Sequence, residues 1–466
     1  MLTGICAVLY LLWQNGAFLP RWVTWDNSTH IAQSGLYEIS LRNKSVTVFC
    51  ENSPIWTSPG NIKVQAALSC DIDHDRQDEL LLLCWKKGRY GTHKPFWIDR
   101  DERKWSQHIF VYQYGARTVR PKWMSSYIGQ DVCEMSVTSD KASRNHLLLT
   151  NPAGTVSSWV WDSWGFTKEN TEVSFIALGD NLIHEPIFRY GLANGEDFSF
   201  LFEHIQDKIA QSDVAVLNQE TPLTDDPSRY SDYPRFGTPL SVGQAIADAG
   251  FSVVTCATNH AMDQGSDGIR RTKDFFDSRG IKCLGIQSPE ESVYRPYEIL
   301  EKNGIRFALL NYTYGTNGIP LPANSPHMVH LLTDEAAVRQ DISRAKADSD
   351  FVIIFVHWGT EYAAKPDDFQ RKWAQIFLSC KADAVIGTHP HTLQPCELVR
   401  DDDGHEMLLC YSLGNFVSAQ PEKSCSMGGA ATFTVSLTTD GYRITSYDLC
   451  PLTIIRETGG KYTVAP

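Results

Sequence analysis

The stretch Ala382 to Pro395, ADAVIGTHPHTLQP, runs an apolar segment into a glycine and then sets His389 and His391 one residue apart around Pro390. Imidazole is a common metal ligand, but such a pair also arises where a strand leaves its sheet through a Gly-Pro turn with its histidines in solvent. The two readings separate on whether ligand-type side chains end strands elsewhere in the chain. VSFIAL ends in Gly179-Asp180 with His184 following, VAVL in Asn218-Gln219-Glu220, SVVTCAT in Asn259-His260 with Asp263 following, FVIIFV in His357-Trp358-Gly359 with Glu361 following, and AVIGT in His389-Pro390-His391. Taken singly, Gly-Asp is a common turn, Asn-His caps a helix, Gln-Glu is a solvated loop, and a histidine beside a tryptophan is a satisfied core residue. Jointly, they are the oxygen and imidazole donors that suit Mn, Fe, Zn or Mg rather than a thiolate site. On a turn stiffened by Pro390, His389 and His391 can then reach two adjacent ions.

The elements that must position these residues lie after residue 170. Apolar runs at VSFIAL, VAVL, SVVTCA, FALLNY, FVIIFV, ADAVIG and MLLCYSL alternate with segments of helical spacing, DFSFLFEHIQDKIAQ, QGSDGIRRTKDFFDSRG and DDFQRKWAQIFLSCKA. This alternation predicts an α/β domain over 171–466, its sheet buried between helices, with ligands gathering where strands end.

Residues 1–170 have another character. Eleven of the thirteen tryptophans precede residue 165, and the polar run TKENTE marks the boundary. SPIWTSP (Ser53–Pro59) aligns with RPKWMSS (Arg120–Ser126) at an offset of 67, which also carries Asp73 onto Asp140, Asp78 onto Asn145 and Leu80-Leu81-Leu82 onto Leu147-Leu148-Leu149. One offset kept over about thirty residues predicts repeated β-rich, blade-like units, a partial propeller-like domain. Within the first copy, DIDHDRQDE has the acidic spacing of calcium loops and of the turns in integrin-type propeller repeats. Arg76 stands where a loop glycine is usual, however, and the second copy keeps few of the acids, so a solvated turn between strands is expected.

Composition bounds the function. A chain of 466 residues with 42% hydrophobic and 21% charged residues is globular and long enough for two domains. The charge of −13 is concentrated after residue 170, where 39 acidic face 24 basic residues, against 16 and 18 before it. An acidic main domain argues against a nucleic-acid partner. Twelve cysteines without a C-x-x-C exclude a zinc ribbon and leave room for isolated bridges. The apolar run Ile5 to Trp13 lacks a basic flank and is too short to span a bilayer; it is either a clipped export signal or the first apolar element of a domain.

GDNLIH, NQETP, TNHAMDQG, HWGTEY, GTHPHTLQP and YSLGNF, in order over about 172–420, resemble the successive motifs of the bacterial capsule synthesis proteins called CapA or PgsA, associated with poly-γ-glutamate. The resemblance implies a calcineurin-like metallophosphatase fold, a four-layer α/β sandwich with a two-metal centre. Carried over residue by residue, it implies that Asp180 and His391 bind one ion and that Glu220 takes the bridging position, with Asn218 near it. Asn259, His357 and His389 would bind the second ion, and His260 would protonate the leaving group. The first motif of the calcineurin-type phosphoesterase pattern reads Asp-x-His, whereas here His184 lies four residues after Asp180, and Glu220 is longer than the usual bridging aspartate. Arg235, in YPRFGTP, either meets an anionic group of a substrate or is an exposed loop arginine.

Two divalent ions about 3.5–4 Å apart can lower the pKa of a bridging water, orient it toward a phosphorus or carbonyl centre and neutralise the developing charge. Together with the resemblance, this chemistry implies a metal-dependent hydrolase of capsule polymer synthesis or processing, with a phosphoester or anionic polymer as substrate. The resemblance implies membrane-bound capsule machinery as a partner and an extracytoplasmic or cell-surface location in a bacterium, or else a cytoplasmic one. The alternative is a non-catalytic component that binds the growing polymer, to which a proton donor at His260 would be superfluous.

Overall fold

The computed structural model describes residues 13, 18–32, 35–90, 94–115, 118–139, 144–438, 441–457 and 459–466. The run Ile5–Leu12 and the Asp140–Ser143 part of the second repeat copy lie outside these. The chain divides into two compact units, Met1–Thr171 with Leu437–Gly441, and Glu172–Ser436 with Tyr442–Pro466.

The first unit is β-rich. Its strands form three antiparallel four-stranded sheets in chain order: β1 (Thr29–Ile31), β2 (Tyr37–Arg42), β3 (Ser45–Cys50) and β4 (Ser53–Thr57); β5 (Ile62–Cys70), β6 (Glu79–Lys87), β7 (Trp105–Gly115) and β8 (Thr118–Met124); and β9 (Glu134–Ser139), β10 (Asn145–Thr150), β11 (Val156–Asp162) and β12 (Gly165–Lys168). The 67-residue offset is the step from one sheet to the next. Trp56 lies on the fourth strand of the first sheet and Trp123 on the fourth strand of the second, each opposite a valine, Val48 and Val111. Each tryptophan also packs on the following sheet, Trp56 against Tyr112 with centroids 4.9 Å apart and Trp123 against Phe166 at 5.5 Å. Leu81 and Leu148 both sit on second strands, with Leu81 buried between the second and third sheets.

The acidic segment between β5 and β6 is not simply a solvated turn. The Lys122 ammonium, from β8, lies against Asp73, 2.7 Å from Glu79 and 3.6 Å from Asp75. A lysine thus provides the positive charge that a cation would bring to such a loop, and Arg76 adopts the left-handed conformation (φ 70°) usual for glycine there.

In the second unit two sheets face each other. One has the order β18-β17-β14-β13-β26-β27-β28, with β25 also pairing to β13, and the other β19-β20-β21-β22-β24-β23. The first comprises β13 (Glu172–Asn181), β14 (Val214–Gln219), β17 (Val253–Thr255), β18 (Lys282–Leu284), β25 (Asn415–Val417), β26 (Met427–Thr438), β27 (Gly441–Arg456) and β28 (Tyr462–Ala465). The second comprises β19 (Tyr297–Lys302), β20 (Ile305–Thr313), β21 (Phe351–His357), β22 (Ala384–Thr388), β23 (Cys396–Arg400) and β24 (Glu406–Cys410). A short pair, β15 (Leu223–Thr224) and β16 (Thr238–Pro239), stands apart.

Alternation along each strand explains the layers. Phe175, Ala177, Val214 and Val216 of one sheet meet Phe307, Leu309, Ile353 and Phe355 of the other in a central core. The intervening Ile176, Leu178, Ala215 and Leu217 face outward onto α1 (Glu185–Ala193), α2 (Gln206–Gln211), α3 (Leu240–Asp248) and α4 (Gly265–Asp277). Likewise Ala308, Leu310, Ile354 and Val356 meet α5 (Glu335–Asp348) and α6 (Asp368–Ser379). Helix, sheet, sheet and helix make the four-layer sandwich, and strands buried on both faces account for the unbroken apolar runs.

One local expectation changes, and three strands are added. DFSFLFEHIQDKIAQ is not one helix but a 3₁₀ turn, Ser199–Leu201, followed by α2. The tight turn lets Phe198, Phe200, Leu201 and Phe202 all enter the core, which one helical face cannot do. The C-terminal strands β26 to β28 extend the first sheet; β26 and β28 are largely buried and β27 is largely exposed.

Candidate metal centre

Parallel pairing brings the ends of β13, β14 and β17 to one edge of their sheet and those of β20, β21 and β22 to one edge of theirs. Asp180 pairs with Asn218 across β13 and β14, and His357 with Thr313 and Thr388 across β20, β21 and β22. A register shift at Gly179 lets β13 approach the 413–415 segment, where a side chain at Gly179 would fall 1.9 Å from the Gly414 carbonyl oxygen.

The six residues expected to bind metal converge. Asp180 accepts hydrogen bonds from the Asn218 amide at 2.8 Å and the His389 backbone at 3.2 Å, and its Oδ2 lies 3.0 Å from His391 Nδ1. Glu220 Oε1 lies 3.8 Å from His391 Nε2 and 3.7 Å from His357 Nε2. Asn259 Oδ1 is 2.8 Å from His357 Nε2, and the His357 and His389 rings are 4.7 Å apart. Potential ligand atoms of Asp180, Glu220 and His391 lie within 4.8 Å of one another, and so do those of Glu220, His357 and His389. Glu220 therefore belongs to both clusters. The HPH turn reaches them by bending: His389 and His391 have φ of 97° and 58°, a strained left-handed backbone for residues with a Cβ.

These clusters suit divalent cations. Both oxygens of Glu220 and Nδ1 of His389 are buried without a hydrogen-bond partner, orphaned atoms that coordination would satisfy. Burial and the neighbouring imidazoles hold His357 and His389 well below the ordinary histidine range, leaving neutral rings with a lone pair to donate. Burial, reinforced by Asp180, pushes Glu220 well up. Burial also opposes charge on His391, but Glu220 and Asp180 outweigh it and the ring is pushed up to about 9. A carboxyl and an imidazole that are both pushed up side by side mark a shortage of positive charge that a cation would make good.

His260 stands outside the two clusters, its Nδ1 2.7 Å from Asp263 Oδ2 and its ring edge-on to Phe236 at 4.8 Å. The Phe236 backbone donates to the same Asp263 oxygen at 2.8 Å, so the loop after Arg235 fixes the carboxylate that orients His260. Arg235 itself is exposed and makes none of these contacts.

His184 does not replace the histidine of an Asp-x-His motif. Its Nδ1 lies 2.8 Å from Asp232 Oδ1, and the position two after Asp180 is the buried Leu182. Several partners escaped the sequence reading: Thr388 at 3.0 Å from His357 Nδ1, Asn317 at 3.3 Å from Asn259, and Asn415, whose Oδ1 is 3.0 Å from His391 Nδ1. Asn415 lies inside YSLGNF, the one motif to which no ligand had been assigned; its place there was the available signal.

A family model described as "Bacterial capsule synthesis protein PGA_cap" matches residues 174–420. The PGA biosynthesis protein CapA of Bacillus subtilis (strain 168) is 30% identical over 258 residues, covering 54% of this chain and 65% of that protein. The capsule biosynthesis protein CapA of Bacillus anthracis is 27% identical over 270 residues, covering 54% and 61%. The chain therefore spans just under two thirds of the length of these relatives. Among solved structures, the calcineurin-like phosphoesterase YfkN from Bacillus subtilis is similar at 15% identity over 60% of this chain and 90% of that one, with a TM-score of 0.35, too distant a likeness to carry an argument. Since the family model covers more than half of the chain, the protein belongs to the bacterial capsule synthesis family PGA_cap.

Proposed function

We propose that the second unit is a divalent-metal-dependent hydrolase that acts on a phosphoester or a γ-glutamyl amide in the synthesis or processing of an anionic capsule polymer. The observation that carries this reading is the membership of Glu220 in both ligand clusters, with its two oxygens buried and unpartnered. Asp180 and His391 would hold one cation, Asn259, His357 and His389 the other, and Glu220 would reach both. Bound there, Mn, Fe, Zn or Mg would supply Lewis acidity and an activated water.

The chain's own residues do the rest. Asp180 and Asn415 orient His391, Thr388 orients His357, and second partners of this kind set ring direction and ligand basicity. His260, oriented by Asp263, holds a proton for the leaving group. Arg235, exposed on the loop that carries Phe236, meets an anionic group of the substrate.

The partners proposed are the polymer and membrane-bound capsule machinery, without nucleic acid, and the location is extracytoplasmic. The stacked sheets of the first unit, read as a partial propeller, would serve docking or targeting.

A polymer-binding component without turnover is the second reading. The place of the phosphoesterase pattern's Asp-x-His histidine favours it, since Leu182 stands there and the preceding Asn181 spends its amide on Gln219 at 2.7 Å. The deciding experiment purifies the full chain without chelator, measures bound metal, and assays a generic phosphodiester and a γ-glutamyl substrate. Bound metal with turnover of either supports the hydrolase; bound metal without turnover of both moves the reading to the binding component.

A further inference from the structure

A third group of ligand atoms lies on the solvent side of the same centre. Atoms of Glu361, His389 and His391 come within 4.8 Å of one another. His391 belongs to the cluster with Asp180 and His389 to the cluster with His357, so Glu361 neighbours one imidazole from each.

Its position is built. The next residue, Tyr362, takes a left-handed backbone (φ 64°), and its N–H donates to the Pro390 carbonyl at 2.8 Å, in the middle of the HPH turn. One residue on, the Ala363 carbonyl accepts from Thr392 Oγ1 and Gln394 Nε2, both at 2.8 Å. The loop is stitched to both sides of the turn, and Glu361 is carried beside the two rings. Yet Glu361 is exposed and makes no hydrogen bond or ion pair among the described residues, whereas Asp180 and Glu220 are buried.

Charge explains what such a carboxylate does. Two divalent cations bring four positive charges, and Asp180 and Glu220 offset two of them. A third, solvent-side carboxylate offsets more in the resting protein, and an exposed loop residue can leave where a buried strand-end residue cannot. We propose that Glu361 is a displaceable third carboxylate of the centre, one that covers the cations from the solvent side and gives way to an oxyanion of the substrate. The proposal rests on the two-cation reading above. It narrows the substrate to one that presents a carboxylate or phosphoryl oxygen to both cation positions.

The test uses Mn²⁺, inorganic phosphate and glutarate with the full chain and its Glu361→Gln and Glu361→Asp variants, each titrated calorimetrically. Wild type should take up two equivalents of Mn²⁺, and Glu361→Gln should take up the same number more weakly. If Glu361 leaves the centre open about a tenth of the time, the Mn²⁺-loaded Gln variant should bind the displacing anion about tenfold more tightly than wild type. Tightening for phosphate alone identifies a phosphoryl substrate, for glutarate alone a carboxylate, and for both an oxyanion of either kind.

Glu361→Asp keeps the charge but shortens the reach, so it should behave like Glu361→Gln. Wild-type behaviour of the Asp variant would reduce the effect to general charge and overturn the proposal. So would unchanged anion affinity in a Gln variant that takes up two equivalents. Failure of the wild type to take up Mn²⁺ would instead overturn the two-cation reading, and this inference with it.

Discussion

His260 and His389 are both buried imidazoles, yet their partners give them different expected roles. His260 is held by Asp263 outside the ligand clusters, whereas His389 keeps an unpartnered Nδ1 inside one. His260→Ala should therefore retain metal and lose roughly 10²–10⁴-fold in turnover, the usual contribution of a positioned general acid, with the larger defect on the poorer leaving group. His389→Ala and Asn259→Ala should lose metal and activity together, as metal analysis beside the same assay would show. An equal His260→Ala defect on good and poor leaving groups would refute the proton-donor role. Proton linkage makes a second test. Without a cation His391 titrates at about 9, so below that pH the ring is protonated and a cation must displace the proton. Cation affinity should therefore rise with pH through neutrality and level off above about 9, with proton release visible by calorimetry in buffers of different ionisation enthalpy. Affinity indifferent to pH over that range would remove His391 from the ligand set.

At the scale of elements, close backbone approach decides whether the strand ends meet. A Cβ at Gly179 would fall 1.9 Å from the Gly414 carbonyl oxygen, so Gly179→Ala must push β13 away from the segment that carries Asn415. The expected cost is about 1–3 kcal/mol, with Asp180 displaced and metal uptake reduced while the circular dichroism spectrum is retained. The α6 terminus offers a contrast. Asp367 and Gln370 form a capping box, with reciprocal side-chain bonds of 2.9 and 3.0 Å to each other's backbone. Asp367→Ala should lower stability by about 1 kcal/mol in denaturant titrations, and because Asp367 also accepts from Thr360 Oγ1 at 2.7 Å the substitution frees the start of the loop that carries Glu361.

For the whole molecule, the central core matters because both sheets that flank it deliver ligands. Phe175 stacks on Phe433 at 4.8 Å in its own sheet and meets Phe307 of the facing sheet edge-on at 5.0 Å. Phe307→Ala should cost about 3–5 kcal/mol in this shared core; Phe307 pairs with Phe351, six residues before the Thr313–His357 pair at the ligand end, so metal affinity should change little. A fall in Tm with weakened metal affinity would show instead that the strand ends depend on it for their spacing. In the first unit, Lys122 is the cation against a Glu79 carboxylate that is 1% exposed. Lys122→Met leaves that carboxylate buried and unpaired and should cost about 3–5 kcal/mol, measured as a shift of the urea midpoint.

Much of the second unit was legible along the chain because strand burial and ligand chemistry are local properties. Apolar runs such as FVIIFV announce strands buried on both faces, and the residues that end them, Asp180, Glu220, Asn259, His357, His389 and His391, are recognisable as donors by type. The 67-residue offset likewise marks the step between successive sheets of the first unit, because each sheet repeats the same strand order. Which donors share a position was not local. Glu220 belongs to two clusters only because two sheets stack with their strand ends at one edge, and Asn415 reaches His391 only through the parallel pairing of β25 with β13. The same holds for Asp232 on His184 and Lys122 among the acids of the first unit, partners 48 and 43 or more residues away in sequence. Residue type and spacing determine what a side chain can do; the packing of layers decides what it does it with, because contacts between distant segments leave no period in the sequence.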